Sequence, residues 1–403
     1  MRLRVLLAIT LLLSLLAGCS DAPESDLTAT PPAREITADE PPTGQLPGAA
    51  RPTHYRLHLN IDPRQEHFSG RAEIDVTLEQ SADNLWLHGR ALQVNEARAR
   101  LADGSEVALE WRQASPVGVA RLTAMRPLPA GPLTLVFDYR APFNTSLEGL
   151  HRIRHGDADY AFTQFEATSA RMAFPAFDQP GFKTPFDVTL TVPGDVTAIT
   201  NTPQVARRDD GDGNVTLQFA TSKPLPTYLV AFAVGPFDVV EAPSIPASAL
   251  REVPLPLRGI TTRGKGDRIR YALEHTADIV LAMEAYFDTP YPYAKLDLIA
   301  IPDFGSGAME NAGAITYREQ LLLLDENATV GDKRNFLNTH AHELSHQWFG
   351  NLVTPQWWDD LWLKEAFATW HSYKTIDALN PGENYLDSLF SASAWAMKED
   401  ALS

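Results

Sequence analysis

Between Arg51 and Ala242 apolar residues recur at every second position, and no other feature restricts the fold of this 403-residue chain so tightly. Tyr55, Leu57, Leu59 and Ile61 alternate with polar neighbours, as do Ala72, Ile74, Val76 and Leu78, then Leu133, Leu135, Phe137 and Tyr139. The pattern returns at Phe186, Val188, Leu190 and Val192, and at Val215, Leu217 and Phe219. A period of two sends successive side chains to opposite faces of a strand, so each run offers one apolar face to a core. Turn signals at Asp103-Gly104, Pro193-Gly194 and Asp210-Gly211-Asp212-Gly213 separate the runs. An antiparallel β-sandwich is expected over residues 51–242. A proline-rich linker at 243–256 follows, and the period then becomes helical. Ile269, Leu273, Thr276, Val280, Met283 and Phe287 fall on one helix face, followed by a strand from Leu296 to Ile301. Residues 257–403 are read as a second, α/β domain, so the fold class is multidomain α and β.

The N-terminus has a different character. Arg2 and Arg4 precede an apolar run from Val5 to Leu16, too short to span a bilayer comfortably, which ends in Leu16-Ala17-Gly18-Cys19. This resembles a bacterial lipobox, which implies a signal peptide over residues 1–18, cleavage before Cys19 and lipidation of that thiol, the only cysteine in the chain. Ser20 after the cysteine points to the outer membrane in lipoproteins of Gram-negative bacteria. The expected location is the bacterial cell envelope, lipid-anchored, facing periplasm or exterior. Residues 19–50, rich in Pro, Ala, Thr, Asp and Glu, are expected to form a disordered tether, because so little apolar surface cannot offset the ordering entropy. A formal net charge of −17 argues against a phosphate-binding surface, so nucleic acid is not an expected partner.

Chemistry enters at His342-Glu343-Leu344-Ser345-His346. Residues four apart share a helix face, so His342 and His346 can aim two imidazoles at one metal with Glu343 beside it. Glu365 is the expected third ligand. Two His and one Glu suit a single Zn2+ per chain and leave a fourth position for water, which zinc acidifies to a pKa of about 7 and Glu343 deprotonates. Asp332 is read as the N-cap of this helix, Gly350 as its stop, and Phe336, Leu337, Leu344 and Trp348 as its inward stripe. A second helix should open at Asp360 and run through Glu365 to Asn380-Pro381, with Ala366 and Ala368 small enough for close approach.

Gly307-Ala308-Met309-Glu310-Asn311, taken with the zinc motif and Glu365, resembles the zinc aminopeptidases of the aminopeptidase N family, a gluzincin group. The resemblance extends to Thr163-Gln164-Phe165-Glu166, Phe174-Pro175-Ala176-Phe177-Asp178, Gln347-Trp348-Phe349-Gly350-Asn351 and Trp362-Leu363-Lys364-Glu365, and it covers residues 51–403. It implies a saddle-like β domain before a thermolysin-like catalytic domain, and peptide substrates with a free N-terminus. Glu310 and Glu166 would bind the α-amine, and Gly307 to Asn311 the substrate backbone. Physics agrees: an α-amino group with a pKa of about 7.7 to 8.0 is largely a cation near neutrality, and carboxylates are its natural partners. An internal peptide segment would leave those carboxylates unpaired. Small Gly307 and Ala308 at a strand edge would let the substrate pair as an added strand.

Some positions depart from the family. Ala312 stands where tryptophan is usual, and Lys364-Glu365-Ala366 replaces the common Asn-Glu-Gly. The family also has a tyrosine well beyond the second glutamate, whose hydroxyl stabilises the oxyanion. Tyr373 and Tyr385 are too early for it, so the chain reads as C-terminally truncated. Loss of such a donor costs about a hundred- to a thousandfold in rate. Two alternatives to an aminopeptidase are a truncated, noncatalytic surface lipoprotein that binds peptides, and a zinc hydrolase of the same family acting on a non-peptide substrate.

Overall fold

The alternating runs become strands with one face buried, in a computed structural model that describes residues 40–400. Ten strands make one sheet, in the order Gln204–Asp209, Asn214–Phe219, Phe186–Pro193, Ala50–Asn60, His67–Leu78, Gly131–Pro142, Gln93–Leu101, Glu106–Gln113, Val119–Leu128, Ala82–His88. Four more, Thr197–Thr200, Phe232–Gly235, Ala158–Gln164 and Gly149–His155, form a second sheet. Both feed one apolar core. At Gly70 a Cβ would lie 2.6 Å from the Tyr139 hydroxyl, which itself donates to the Ala173 carbonyl at 2.8 Å, so only glycine lets these strands pair closely.

Three expectations for the sheets and their connections need correction. One pair in the large sheet is parallel, Ala50–Asn60 with Phe186–Pro193, because the later strand returns beside the first and covers its open edge. The tether ends sooner than expected. Leu46 is buried in the sandwich core and the Ala49 carbonyl accepts from Glu79 N–H, so residues from Pro41 onward belong to the packed body. The lipobox, Cys19 and the rest of the tether lie outside the described residues. Finally, Phe237–Glu241 precedes the proline-rich join yet pairs antiparallel with Leu257–Thr262. An isolated bridge between Ile245 and Leu255 ties the join to itself, so it is a hairpin connection within the next sheet.

That next sheet has five strands, in the order Phe237–Glu241, Leu257–Thr262, Leu296–Ile301, Ala314–Arg318, Ala308–Met309. Its two faces serve two cores. Ile260, Ile299, Ile301, Met309 and Ala314 pack into the sandwich core, whereas Leu257, Leu298, Ala300, Ile315 and Tyr317 pack against the helices. Leu296–Ile301 is therefore buried along its whole length, as a strand covered on both sides must be.

Among the described residues four long helices carry most of the remainder, α1 (Arg270–Phe287), α2 (Val330–His346), α3 (Leu361–Leu379) and α4 (Tyr385–Asp400), with a single helical turn at Glu319–Leu322. The stripe expected on α1 is inward, with Leu273, Thr276, Val280 and Met283 buried. The start of α2 differs from expectation: Thr329 is the N-cap, accepting from Asp332 N–H at 3.1 Å, while Asp332 accepts from Thr329 N–H at 2.9 Å. Asp332 is thus the third helical residue of a reciprocal capping box, which satisfies two orphan donors where a lone N-cap satisfies one. Phe336, Leu337, Leu344 and Trp348 all face the core. Between α2 and α3, Ala368 is buried and Ala366 is exposed.

Candidate active site

Helix periodicity brings the motif histidines together. His342 Nε2 and His346 Nε2 are 2.9 Å apart, and Glu365 Oε2, from the facing helix α3, lies 3.3 Å from the first and 3.5 Å from the second. A tetrahedral zinc with bonds of about 2.0 to 2.1 Å sets its donors about 3.3 Å apart, so this trio fits the ion. The ring orientations fit as well. His346 Nδ1 bonds to the Phe349 carbonyl at 2.9 Å and His342 Nδ1 faces Thr369 Oγ1 at 3.3 Å, leaving each Nε2 for a ligand role. Gly350, at φ +120, is required here: a Cβ would come within 3.1 Å of both His346 Nδ1 and the Lys364 side chain.

Burial and crowding set the electrostatics. The Glu365 carboxyl is held far below the usual range, since His342 and His346 outweigh a burial effect that acts upward. Glu343, buried on α2, is pushed well above the ordinary carboxyl value, chiefly by burial, and its Oε2 has no hydrogen-bond partner among the described residues. Glu343 borders the same cavity as the trio.

A cavity of about 350 Å³ opens over these groups, lined among others by Glu166, Gly307, Ala308, Glu310, Glu343 and Tyr373. Carboxylate oxygens of Glu166, Glu310 and Glu365 lie within 4.8 Å of one another, as do the donor atoms of His342, His346 and Glu365. Glu365 belongs to both groups. Glu166 follows the strand Ala158–Gln164 of the four-stranded sheet, and Glu310 follows Ala308–Met309 at the edge of the five-stranded one. Burial and the charge on Glu310 raise Glu166 to about 7, with Lys364 acting against them. Burial also acts to raise Glu310, but the ammonium of Lys364 and then His346 outweigh it and hold it low.

The five residues Gly307 to Asn311 divide. Gly307, Ala308 and Glu310 border the cavity. Met309 is buried against Gln164 Nε2, and Asn311 donates to Thr316 Oγ1 at 3.1 Å, so both side chains build the wall from within. Sequence reasoning missed three partners. Gln347 Nε2 and Asn351 Nδ2 clamp the Glu310 carbonyl at 2.9 and 2.8 Å. The sequence assigns Lys364 no role in the site, yet its ammonium lies against three of the carboxylates. Tyr373 lines the cavity, while Tyr385 is buried beside Arg334.

Two family models and a set of relatives match this chain. Residues 51–229 match the peptidase M1 N-terminal domain and residues 271–403 the peptidase family M1 domain. Aminopeptidase M1-D of Oryza sativa subsp. japonica is 37% identical over 363 residues, covering 89% of this chain and 40% of that protein. The puromycin-sensitive aminopeptidase of Caenorhabditis elegans is 37% identical over 345 residues, 84% of this chain and 36% of the relative. Endoplasmic reticulum aminopeptidase 1 of Homo sapiens is 36% identical over 368 residues, 89% and 38% respectively. The chain thus spans about 40% of the length of the first of these relatives. With a β-rich N-terminal domain, an α/β domain behind it and both family domains in order, the chain belongs to peptidase family M1, the aminopeptidase N family of zinc metallopeptidases.

Proposed function

We propose that the chain is the zinc-binding, amine-reading part of an aminopeptidase that removes the N-terminal residue from peptides. One observation carries the reading: Glu365 is shared by the ligand trio and by the acidic trio with Glu166 and Glu310. With N–Cα of about 1.46 Å and Cα–C of about 1.52 Å, an α-amine sits about 2.5 Å from its own residue's carbonyl carbon. Two subsites that share one carboxylate match that spacing, so the carbonyl addressed is that of the first residue.

Zinc held by His342, His346 and Glu365, one ion per chain, supplies Lewis acidity that polarises a carbonyl and brings the pKa of a water to about 7. The protein's own groups do the rest. Glu166 and Glu310 bind the α-ammonium; Gly307 and Ala308, at the free edge of the five-stranded sheet, accept the substrate backbone as an added strand. Glu343 takes a proton from the attacking water and delivers it to the departing amine. Release of a free amino acid from an unblocked peptide is expected, and equal cleavage of the N-acetylated peptide would defeat the exopeptidase claim. Glu343→Gln should keep zinc and lose turnover. No observation favours a noncatalytic peptide-binding surface or a non-peptide substrate over this reading.

Location rests on the N-terminal sequence. Leu16-Ala17-Gly18-Cys19 supports lipid anchoring at Cys19, with the outer membrane as destination. No helix among the described residues is long and apolar enough to cross a membrane. Cys19→Ser should release the protein from membranes, and a wholly soluble wild type would overturn the assignment.

A further inference from the structure

Four carboxylates crowd the candidate active site, and one ammonium stands behind them. Lys364 Nζ lies 2.5 Å from Glu310 Oε1, 2.7 Å from Glu365 Oε1 and 2.8 Å from Glu166 Oε1, the last off hydrogen-bond geometry but within ion-pair distance. The lysine side chain is 2% exposed and is not part of the cavity lining, while the carboxylates it touches are. The Tyr228 ring flanks the ammonium at 5.7 Å. Each of these three carboxylates therefore gives one oxygen to Lys364 and keeps its second. For Glu365 the second oxygen, Oε2, is the one that faces His342 and His346.

We propose that Lys364 is a positioning residue for the amine pocket, an internal counter-ion that holds Glu166 and Glu310 together from behind the wall so that the pair presents one net negative charge to one incoming α-ammonium. The proposal rests on the free-amine reading above. Its logic is electrostatic. Glu166 comes from the sandwich and Glu310 from the five-stranded sheet, and two like charges at this separation repel unless a cation lies between them. Glu166 is the member free to leave, since its side chain is 20% exposed against 4% for Glu310. With Glu365 turned to the metal trio, Glu166 and Glu310 in their ionised forms and one ammonium sum to a single negative charge, the complement of a monocation.

The test uses the full chain loaded with zinc and two probes, leucine hydroxamate and 4-methylpentanohydroxamate, which differ only by the α-amine. Both reach the metal through the hydroxamate, so the ratio of their dissociation constants reads the amine pocket alone. In wild type the amine should tighten binding by about ten- to a hundredfold, the range of a hydrogen bond to a charged group. Lys364→Met should bring the ratio close to one while zinc stays at one per chain and the des-amino probe binds as before; a merely structural loss would weaken both probes together. A Lys364→Met variant that keeps the wild-type ratio overturns the proposal, whereas a wild-type ratio near one overturns the free-amine reading itself. Should the variant not fold, a crystal structure of wild type with leucine hydroxamate decides. Lys364 still on Glu166 and Glu310 with the ligand amine on their other oxygens supports the role, and a displaced Lys364 ends it.

Discussion

The sandwich and helix α3 solve opposite problems. Along His67–Leu78 the buried positions are Phe68, Gly70, Ala72, Ile74, Val76 and Leu78, and polar residues lie between them, the arrangement that water dictates. Helix α3 is turned the other way. It buries Lys364, His371 and Ser372 beside Ala368 and Ile376, and leaves Trp362 65% and Trp370 41% exposed, with Phe367 uncovered beside them. Helix α4 continues this apolar surface with Phe390 and Met397, 76% and 72% exposed. A helix whose inner face looks into a polar cavity must carry polar groups inward, and its stability then depends on charges meeting charges. The sandwich is held by area; α3 adds ion pairs and ligands to a narrow apolar contact through Ile376.

Four measurements would break or sharpen that contrast. The largest effect belongs to the sandwich: Phe137→Ala, at a fully buried position, should cost about 3 to 5 kcal/mol in denaturant unfolding, while Phe390→Ser on α4 should stay within about 0.5 kcal/mol. Comparable losses would mean that α4 is covered in solution. Zinc comes next. At a thousandfold excess over its dissociation constant it should stabilise by about 4 kcal/mol, and chelation should lower the transition reported by tryptophans of α3 with little change in the far-ultraviolet signal of the sheets. A single concerted shift of both signals would show that the two regions melt together.

Third, acid should find a weak point in the sandwich. His88 is lowered to about 2, by burial first and then by the charge of Arg171, and it accepts the Asp178 N–H at 3.1 Å. The folded state keeps this ring neutral while the unfolded chain takes up a proton below its ordinary value of 6.5. Stability contributed by the neutral ring is therefore present above that pH and falls as pH drops, by about 1.4 kcal/mol per pH unit at most. His88→Gln should flatten the slope between pH 6 and pH 5, on the order of one unit below the free histidine value; an unchanged slope would place the acid sensitivity elsewhere. Smallest is the cap. Thr329→Ala breaks the reciprocal pair with Asp332 and should cost about 1 kcal/mol, confined to the helical signal.

Legibility followed the range over which each cause acts. The period of two marked the strands, and the four-residue spacing marked His342 and His346, because both are properties of a few consecutive residues. Glu365 was legible through its motif. Parallel pairing of Ala50–Asn60 with Phe186–Pro193 was not, since strands far apart in sequence leave no local trace of which neighbour they choose. The same limit hid Lys364: a lysine next to a glutamate reads as a surface pair until the fold brings Glu166 and Glu310 to it from two other sheets. Asp332 was legible as a helix-start residue, but its place in the box required Thr329 to be read with it.

The strand Leu296–Ile301 has a consequence for modularity. Its odd and even side chains are claimed by different cores, Ile299 and Ile301 by the sandwich and Leu298 and Ala300 by the helices. Two domain profiles can be drawn side by side along the sequence, but they share a party wall. Exchange of residues 51–229 between relatives would thus inherit a surface shaped for another protein's Ile299 and Ile301, and a graft would be accepted only where both faces of this strand travel with it.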